Sequence, residues 1–194
     1  MDPQQLRAVI AAARAGREEA YRCLLARFGP RLYGYFFRAT GSHHDAEDLL
    51  GEVMLRLVRS LRRYDDRGRF EPWLFSIAAN LVRDRIRRAR ASPQAATLDA
   101  DGGEGPSLGE TLKGAERPVD EGLLRDEAGR AVNEALARLD ERSRQMILLR
   151  HFAGMSFKEI AEVFDCPVGT VLARVHRGLR ALRRMLQAED ERSQ

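Results

Sequence analysis

A chain of 194 residues with 44% apolar content is long enough to bury the core of one domain or of two small ones. Charged residues make up 32% of it, the net charge is +4, and no run approaches the ~20 apolar residues of a membrane span, so membrane insertion is not expected. The opening MDPQQLRAVI starts with an acid and a helix signal rather than a secretory pattern, which points to the cytoplasm.

The charge is unevenly spread. Residues 1–90 carry 18 basic and 11 acidic residues, 91–122 carry 2 and 7, and 123–194 carry 13 and 11. Two basic-leaning blocks flank an acidic connector, and basic patches suit a polyanionic partner. The two cysteines, Cys23 and Cys166, lie far apart and outside any CxxC pair. They read as ordinary thiols rather than as zinc ligands.

Taken in order, Asp2-Pro3-Gln4-Gln5 opens a helix, with Asp2 as cap, Pro3 in the first position and Gln5 reaching back. Leu6, Val9, Ile10 and Ala13 form its apolar face, and Gly16 ends it. A second helical segment is expected from about residue 18 to 28, and Gly29-Pro30 is expected to break or kink it. The aromatic cluster Tyr33, Tyr35, Phe36 and Phe37 then continues to Gly41 as core.

Ser42 precedes a helix whose first turns carry Asp45, Glu47, Asp48 and Glu52, where the macrodipole favours acids. Leu49, Leu50, Val53, Met54, Leu57, Val58 and Leu61 give it a broad apolar stripe. His43 with Glu47, and His44 with Asp48, stand at i,i+4, so a metal site is conceivable. Carboxylates at a helix start need no metal, however, and an acidic face docking on a basic partner is the better functional reading.

Residues 62–70 read as a loop. A helix with Pro72 in its first turn follows, turning Trp73, Leu74, Ile77, Ala78, Leu81, Val82 and Ile86 inward. Asn80, Arg83, Asp84, Arg85, Arg87, Arg88 and Arg90 lie on its other side. Aromatics interleaved with arginines suit single-stranded nucleic acid, because rings stack on bases while guanidinium groups hold phosphates. Asn80 offers the donor and acceptor that reading a base edge requires. For Trp73 a place in the core is the favoured reading.

From residue 91 to 122 the period dissolves into Gly, Pro, Ala and acids, as in a flexible linker. The second block starts near Leu123, with Leu124, Ala128, Ala131, Val132, Ala135, Leu136 and Leu139 in helical register. Asp140 starts another helix through Met146–Leu149 and Phe152, closed by Gly154. Ser156 and Glu159 then form a capping box, with Met155 and Ile160 at the flanking staple positions. Asp165-Cys166-Pro167 ends that short helix, and Val171, Val175, Leu179, Leu182 and Leu186 recur in the next, which is studded with arginines. Two short helices, a tight turn and a basic second helix describe a helix-turn-helix whose second helix enters the major groove. The polar tail, 189–194, is expected to fray. The fold class is therefore all-α: two small helical domains (1–90 and 123–188) joined by a linker (91–122), the second ending in the helix-turn-helix.

These segments resemble, in order, those of bacterial sigma factors of the extracytoplasmic-function group. DAEDLLGEVMLRL is similar to the helix that docks on the clamp coiled coil of RNA polymerase. FEPWLFSIAANLVRDRIRR is similar to the segment that melts and reads the −10 element, and SFKEIAEVFDCPVGTV to the −35-reading helix-turn-helix. The resemblance implies polymerase contacts at Asp45, Glu47, Asp48 and Glu52. It implies capture of a flipped −10 base by Asn80 with the loop from Tyr64 to Phe70, beside Trp73, Arg83, Asp84 and Arg87. For the −35 duplex it implies Pro167, Gly169 and Thr170 near the phosphates, with Leu172, Ala173, Arg174, His176 and Arg177 on the reading helix. Two departures stand out. Gly51 replaces a frequent glutamine, and Leu172-Ala173 replaces a basic residue and a serine, leaving methyl contact or shape readout in place of hydrogen bonds.

The implied partners are core RNA polymerase, promoter DNA (duplex at −35, single-stranded at −10) and an anti-sigma factor, with no catalytic site, cofactor or small-molecule substrate. The competing reading is a helix-turn-helix regulator that binds operator DNA without joining a polymerase.

Overall fold

The structure, a computed structural model, describes residues 1–65, 68–91 and 127–190. The linker expected at 91–122 therefore lies almost wholly outside the described residues, as do the start of the second block at Leu123, Asp66 and Arg67 of the loop, and the last four residues of the tail. Eight α-helices run through the described residues: α1 (Pro3–Arg14), α2 (Glu18–Thr40), α3 (His43–Ser60), α4 (Phe70–Ala91), α5 (Glu127–Ala137), α6 (Glu141–Phe152), α7 (Phe157–Phe164) and α8 (Val168–Asp190). One 3-10 turn, Leu61–Arg63, extends α3.

Local signals set most helix ends. Asp2 accepts from the Gln5 amide while the Gln5 side chain accepts from the Asp2 amide. Ser42 accepts from the Asp45 amide, Asp140 from that of Ser143, and Ser156 from that of Glu159. Each satisfies an amide that the first helical turn leaves unpaired.

Of the break or kink expected at Gly29-Pro30, the break does not occur: α2 runs unbroken over 23 residues, with Pro30 inside it. Proline removes a helical hydrogen bond and crowds the preceding turn, at a cost of about 3 kcal/mol. Burial on both sides of it outweighs that cost. Leu24, Phe28, Leu32, Tyr35, Phe36 and Ala39 are all at most 2% exposed, and a fully buried large apolar side chain contributes about 1.5–3 kcal/mol. Gly41, in the left-handed region at φ 78°, then ends the helix.

Helix α2 is the shared wall of the molecule. It packs on α1, α3 and α4 at the front and on α5 and α6 at the back. Helix α4 is likewise covered by α2 and α3 on one side and by α6 and α7 on the other. Phe75, off the inward stripe read from the sequence, is nevertheless fully buried against α2, edge-on to Tyr35 at 5.8 Å. None of the described helices is long and apolar enough to cross a membrane. Both cysteines are free and half-buried.

The back domain closes over Met146, Leu148, Leu149, Phe152, Met155, Ile160, Phe164, Val171 and Val175. Helix α8 crosses α6 so closely at Gly178 that an added Cβ would stand 2.7 Å from Ile147 Cδ1. Here the glycine leaves room for the Ile147 side chain, and a larger residue would require that methyl to shift.

Two capping carboxylates of this domain are held below their ordinary range. For Asp140, burial works against ionisation, but bonds from Ser143 and the charges of Arg174 and Arg177 outweigh it. For Glu159, burial is outweighed by Ser156 and Arg69. A lowered native pKa contributes stability that is complete above the ordinary values of 3.8 and 4.5 and is lost as pH falls through the lowered ones. Thermal unfolding followed from pH 6 down to pH 2 should therefore show an acid limb. Asp140→Asn, which still caps, together with Glu159→Gln should flatten that limb. An acid limb unchanged in the double variant would show that other carboxylates control it.

Candidate nucleic-acid interface

The acidic start of α3 is answered by an arginine from α4. Arg85 pairs with Asp45, with its Nε 2.9 Å from Asp45 Oδ1, and reaches Asp48 Oδ2 at 3.5 Å. Asp45 is thereby a strut between the two helices, whereas Asp48 is half exposed and lies 3.6 Å from His44. Glu52 pairs along the helix with Arg56 at 2.9 Å, and Glu47 is half-buried. Leu55 and Val58 stand exposed on the same helix. This surface is an acidic edge beside an apolar strip. Gly51 has open space where a side chain would be.

His43 is held by neighbouring aromatics: its Nδ1 lies 2.6 Å from the Tyr33 hydroxyl and its ring stacks on Phe37 at 4.2 Å. Among the described residues, no three His, Cys, Asp or Glu side chains are placed to share a metal ion.

On α4 and the loop before it, the expected strand-reading residues divide by burial. Tyr64 and Phe70 are 7% and 2% exposed and pack edge to face at 5.5 Å. In this conformation their rings are enclosed and offer no face for stacking a base. The sequence pattern of interleaved aromatics could not distinguish lining from core. Trp73 is half-buried, packed 4.4 Å from Tyr64. It nevertheless lines a cavity of about 430 Å³ together with Arg69, Pro72, Ser76 and Asn80. Asn80 is exposed, and its Oδ1 accepts from Arg83. Arg83 can only donate, so the Asn80 oxygen faces it and the NH2 group is left for another partner. Asp84 pairs with the exposed Arg87 at 3.0 Å.

In the helix-turn-helix, Asp165 takes the left-handed conformation at φ 46° and ends α7. Such a conformation suits Asp better than most side chains. Pro167, Gly169 and Thr170 are exposed at the start of α8, and Leu172, Ala173, His176 and Arg177 form an outward face. Val171 and Val175 turn the opposite way into the core. Arg174 is tied back: its Nη1 lies 2.9 Å from Asp140 Oδ1, bracing α8 against the cap of α6.

Sequence reasoning missed the contacts that join the two domains. Arg69 pairs with Glu159, and Arg90 with Glu141 at 2.7 Å. Arg31 donates to the Phe152 carbonyl, and Arg38 lies over the Phe152 ring at 5.3 Å. Arg83 lies over Phe164 at 5.2 Å. The far wall of the cavity is Met155, Glu159, Glu162 and Val163. Partners 50 or more residues apart leave no local pattern to read.

Comparison with known proteins agrees with this architecture. Residues 24–92 match the Sigma-70 region 2 family and residues 129–182 the Sigma-70, region 4 family. The chain is 32% identical over 173 residues to the RNA polymerase sigma factor CarQ of Myxococcus xanthus, covering 89% of this chain and 92% of that one. It is 29% identical over 174 residues to the ECF RNA polymerase sigma factor SigW of Bacillus subtilis (strain 168), covering 89% and 91%. Among solved structures, CnrH in complex with the cytosolic domain of CnrY superposes with a TM-score of 0.61 at 27% identity, covering 94% of this chain and 97% of that chain. The sigma factor RpoE from Bartonella quintana, in complex with the anti-sigma factor NepR, superposes with a TM-score of 0.57 at 21% identity, a likeness of fold. Two helical units in this order, with relatives matched along nearly their whole length, place the chain in the sigma-70 family, among the extracytoplasmic-function RNA polymerase sigma factors.

Proposed function

We propose that the chain directs promoter-specific initiation by carrying core RNA polymerase to a −35 duplex and a melted −10 strand. The observation that supports this most is the pairing, in one chain, of an outward reading face on α8 with the arginine- and Asn80-lined cavity on α4. A duplex operator reader needs only the first of these. The two domains, 1–90 and 123–188, divide the work, and the acidic edge of α3 meets the polymerase.

Of the four acids, Asp48 is the most exposed and so the best placed for that contact, whereas Asp45 is turned onto Arg85. The arginines supply phosphate contacts that fix register, while Asn80 and the outward face of α8 supply selectivity. Catalysis belongs to the polymerase, and the chain works in the cytoplasm. An anti-sigma factor, such as the NepR bound to RpoE of Bartonella quintana, would act by covering these surfaces.

The test is transcription from a linear promoter by purified core polymerase. Initiation at a defined start site only when the chain is added supports the proposal, and operator binding without stimulation contradicts it. Asp48→Arg should weaken core binding about tenfold or more in a titration at low salt, since it reverses charge on a steering surface. An unaltered core affinity would remove Asp48 from the contact.

A further inference from the structure

The middle of the outward side of α8 carries little that can hydrogen-bond a base. Gly169 and Ala173, four residues apart, stand opposite the buried seat of Val171, Val175 and Gly178. Beside them Val168 and Leu172, also four apart, are 40% and 45% exposed. A lone exposed leucine calls for no explanation. Here, however, the apolar groups form one patch in the first turns of a reading helix, the part that meets base edges. The nearest arginine is withheld from it, because Asp140 holds Arg174 at 2.9 Å. Arg177 lies along the helix, its Nε donating to the Ala173 carbonyl at 3.2 Å.

From this we infer that α8 reads thymine through its C5 methyl group, with Val168, Leu172 and Ala173 as the receiving patch. This rests on the proposed reading of the −35 duplex by α8. In the major groove each base pair shows its own pattern of donors and acceptors, and the thymine methyl is the one apolar group among them. An apolar patch pressed on a donor or acceptor strips it of water and gives nothing back. Pressed on a methyl, it gains by burying both surfaces. Gly169 and Ala173 project no more than one methyl each, so the helix can approach closely enough for that contact. Val168 and Leu172 stand about 6 Å apart along the helix, against about 3.4 Å per base pair. The patch therefore suits two thymines within three consecutive base pairs.

Charge around the patch fits the same ligand. Arg177, Arg180, Arg183 and Arg184 are exposed along the rest of α8, where they can take phosphates and fix register. An apolar protein surface laid on the patch would leave these charges unanswered, whereas a duplex answers them. A consequence follows for modified DNA. 5-Methylcytosine carries its methyl at the same ring carbon as thymine, so the patch should accept it where it rejects cytosine.

The experiment selects duplexes from a random pool with the full chain and core polymerase. The enriched −35 element should hold two thymines within three base pairs. It is then remade with uracil at each thymine in turn, which removes only the methyl. Each replacement should weaken binding about fourfold, the weight of one buried carbon. With cytosine at the same position binding should be weak, and 5-methylcytosine should recover about fourfold of it. Leu172→Ala, at an exposed site where folding is not at stake, should bring the thymine-to-uracil ratio at one position close to unity. Leu172→Met should keep that ratio. Equal affinity for the thymine and uracil duplexes, or a ratio untouched by Leu172→Ala, would overturn the methyl contact, as would an enriched element without thymine. A pool with no enriched −35 element would overturn the duplex reading beneath it. Initiation is scored separately on the enriched duplex, so a bound but silent complex counts against the proposed function and not against the methyl contact.

Discussion

Core polymerase reconstituted with an Asn80→Ala variant should retain −35 duplex binding yet lose promoter opening by about tenfold to a hundredfold. That range is about 1.4–2.8 kcal/mol, within the ~1–3 kcal/mol carried by a well-placed base-edge contact. Arg83 can only donate and so turns the Asn80 oxygen toward itself. What Asn80 can offer a base is then its NH2 group. Asn80→Asp keeps the shape and the bond to Arg83 but has nothing to donate, and should be as defective as alanine. Permanganate reactivity of unpaired thymines reports opening directly, and a gel shift on duplex reports −35 binding. Full opening by the aspartate variant would show that the donor is not what the strand uses.

The second large effect is on stability. Phe75→Ala should cost about 3–5 kcal/mol, the range for emptying a buried aromatic site, out of the 5–15 kcal/mol that holds a typical domain together. Each kcal/mol shifts the midpoint of a chain this size by about 2–4 °C, so melting should fall by about 6–20 °C. The ring is fully enclosed, edge-on to Tyr35 and 5.8 Å beneath the guanidinium of Arg31. Phe75→Leu should lose much less, because most of the volume remains. A loss under 1 kcal/mol for the alanine variant would mean that the site collapses around the missing ring.

Phe75 also marks where the sequence ceased to be legible. Short-range features were readable because their causes are local. The capping boxes at Asp2 with Gln5 and at Ser156 with Glu159 form as their spacing dictates, and Asp140 caps the helix it precedes. Pro30 misled because local propensity argues for a break while burial of Phe28 and Leu32 on either side argues against one. Phe75 was missed because the face that α2 covers is broader than the stripe read from the sequence. The candidate site divides along the same line. Its reading face on α8 follows from helical periodicity. By contrast, the binding of Asp45 by Arg85 spans 40 residues and that of Arg69 by Glu159 spans 90. No pattern within a window of sequence encodes such pairs.

The close crossing at Gly178 has an implication for changing what the protein recognises. Helix α8 is seated through Val171, Val175 and Gly178, while Leu172, Ala173, His176 and Arg177 face away from that seat. Support and recognition therefore use different sides of one cylinder. If the outward face of α8 reads the duplex as proposed, promoter preference would be changed at these four positions without touching the seat of the helix, whereas a side chain at residue 178 would press on the Ile147 Cδ1 methyl and act only through the packing of α8 on α6.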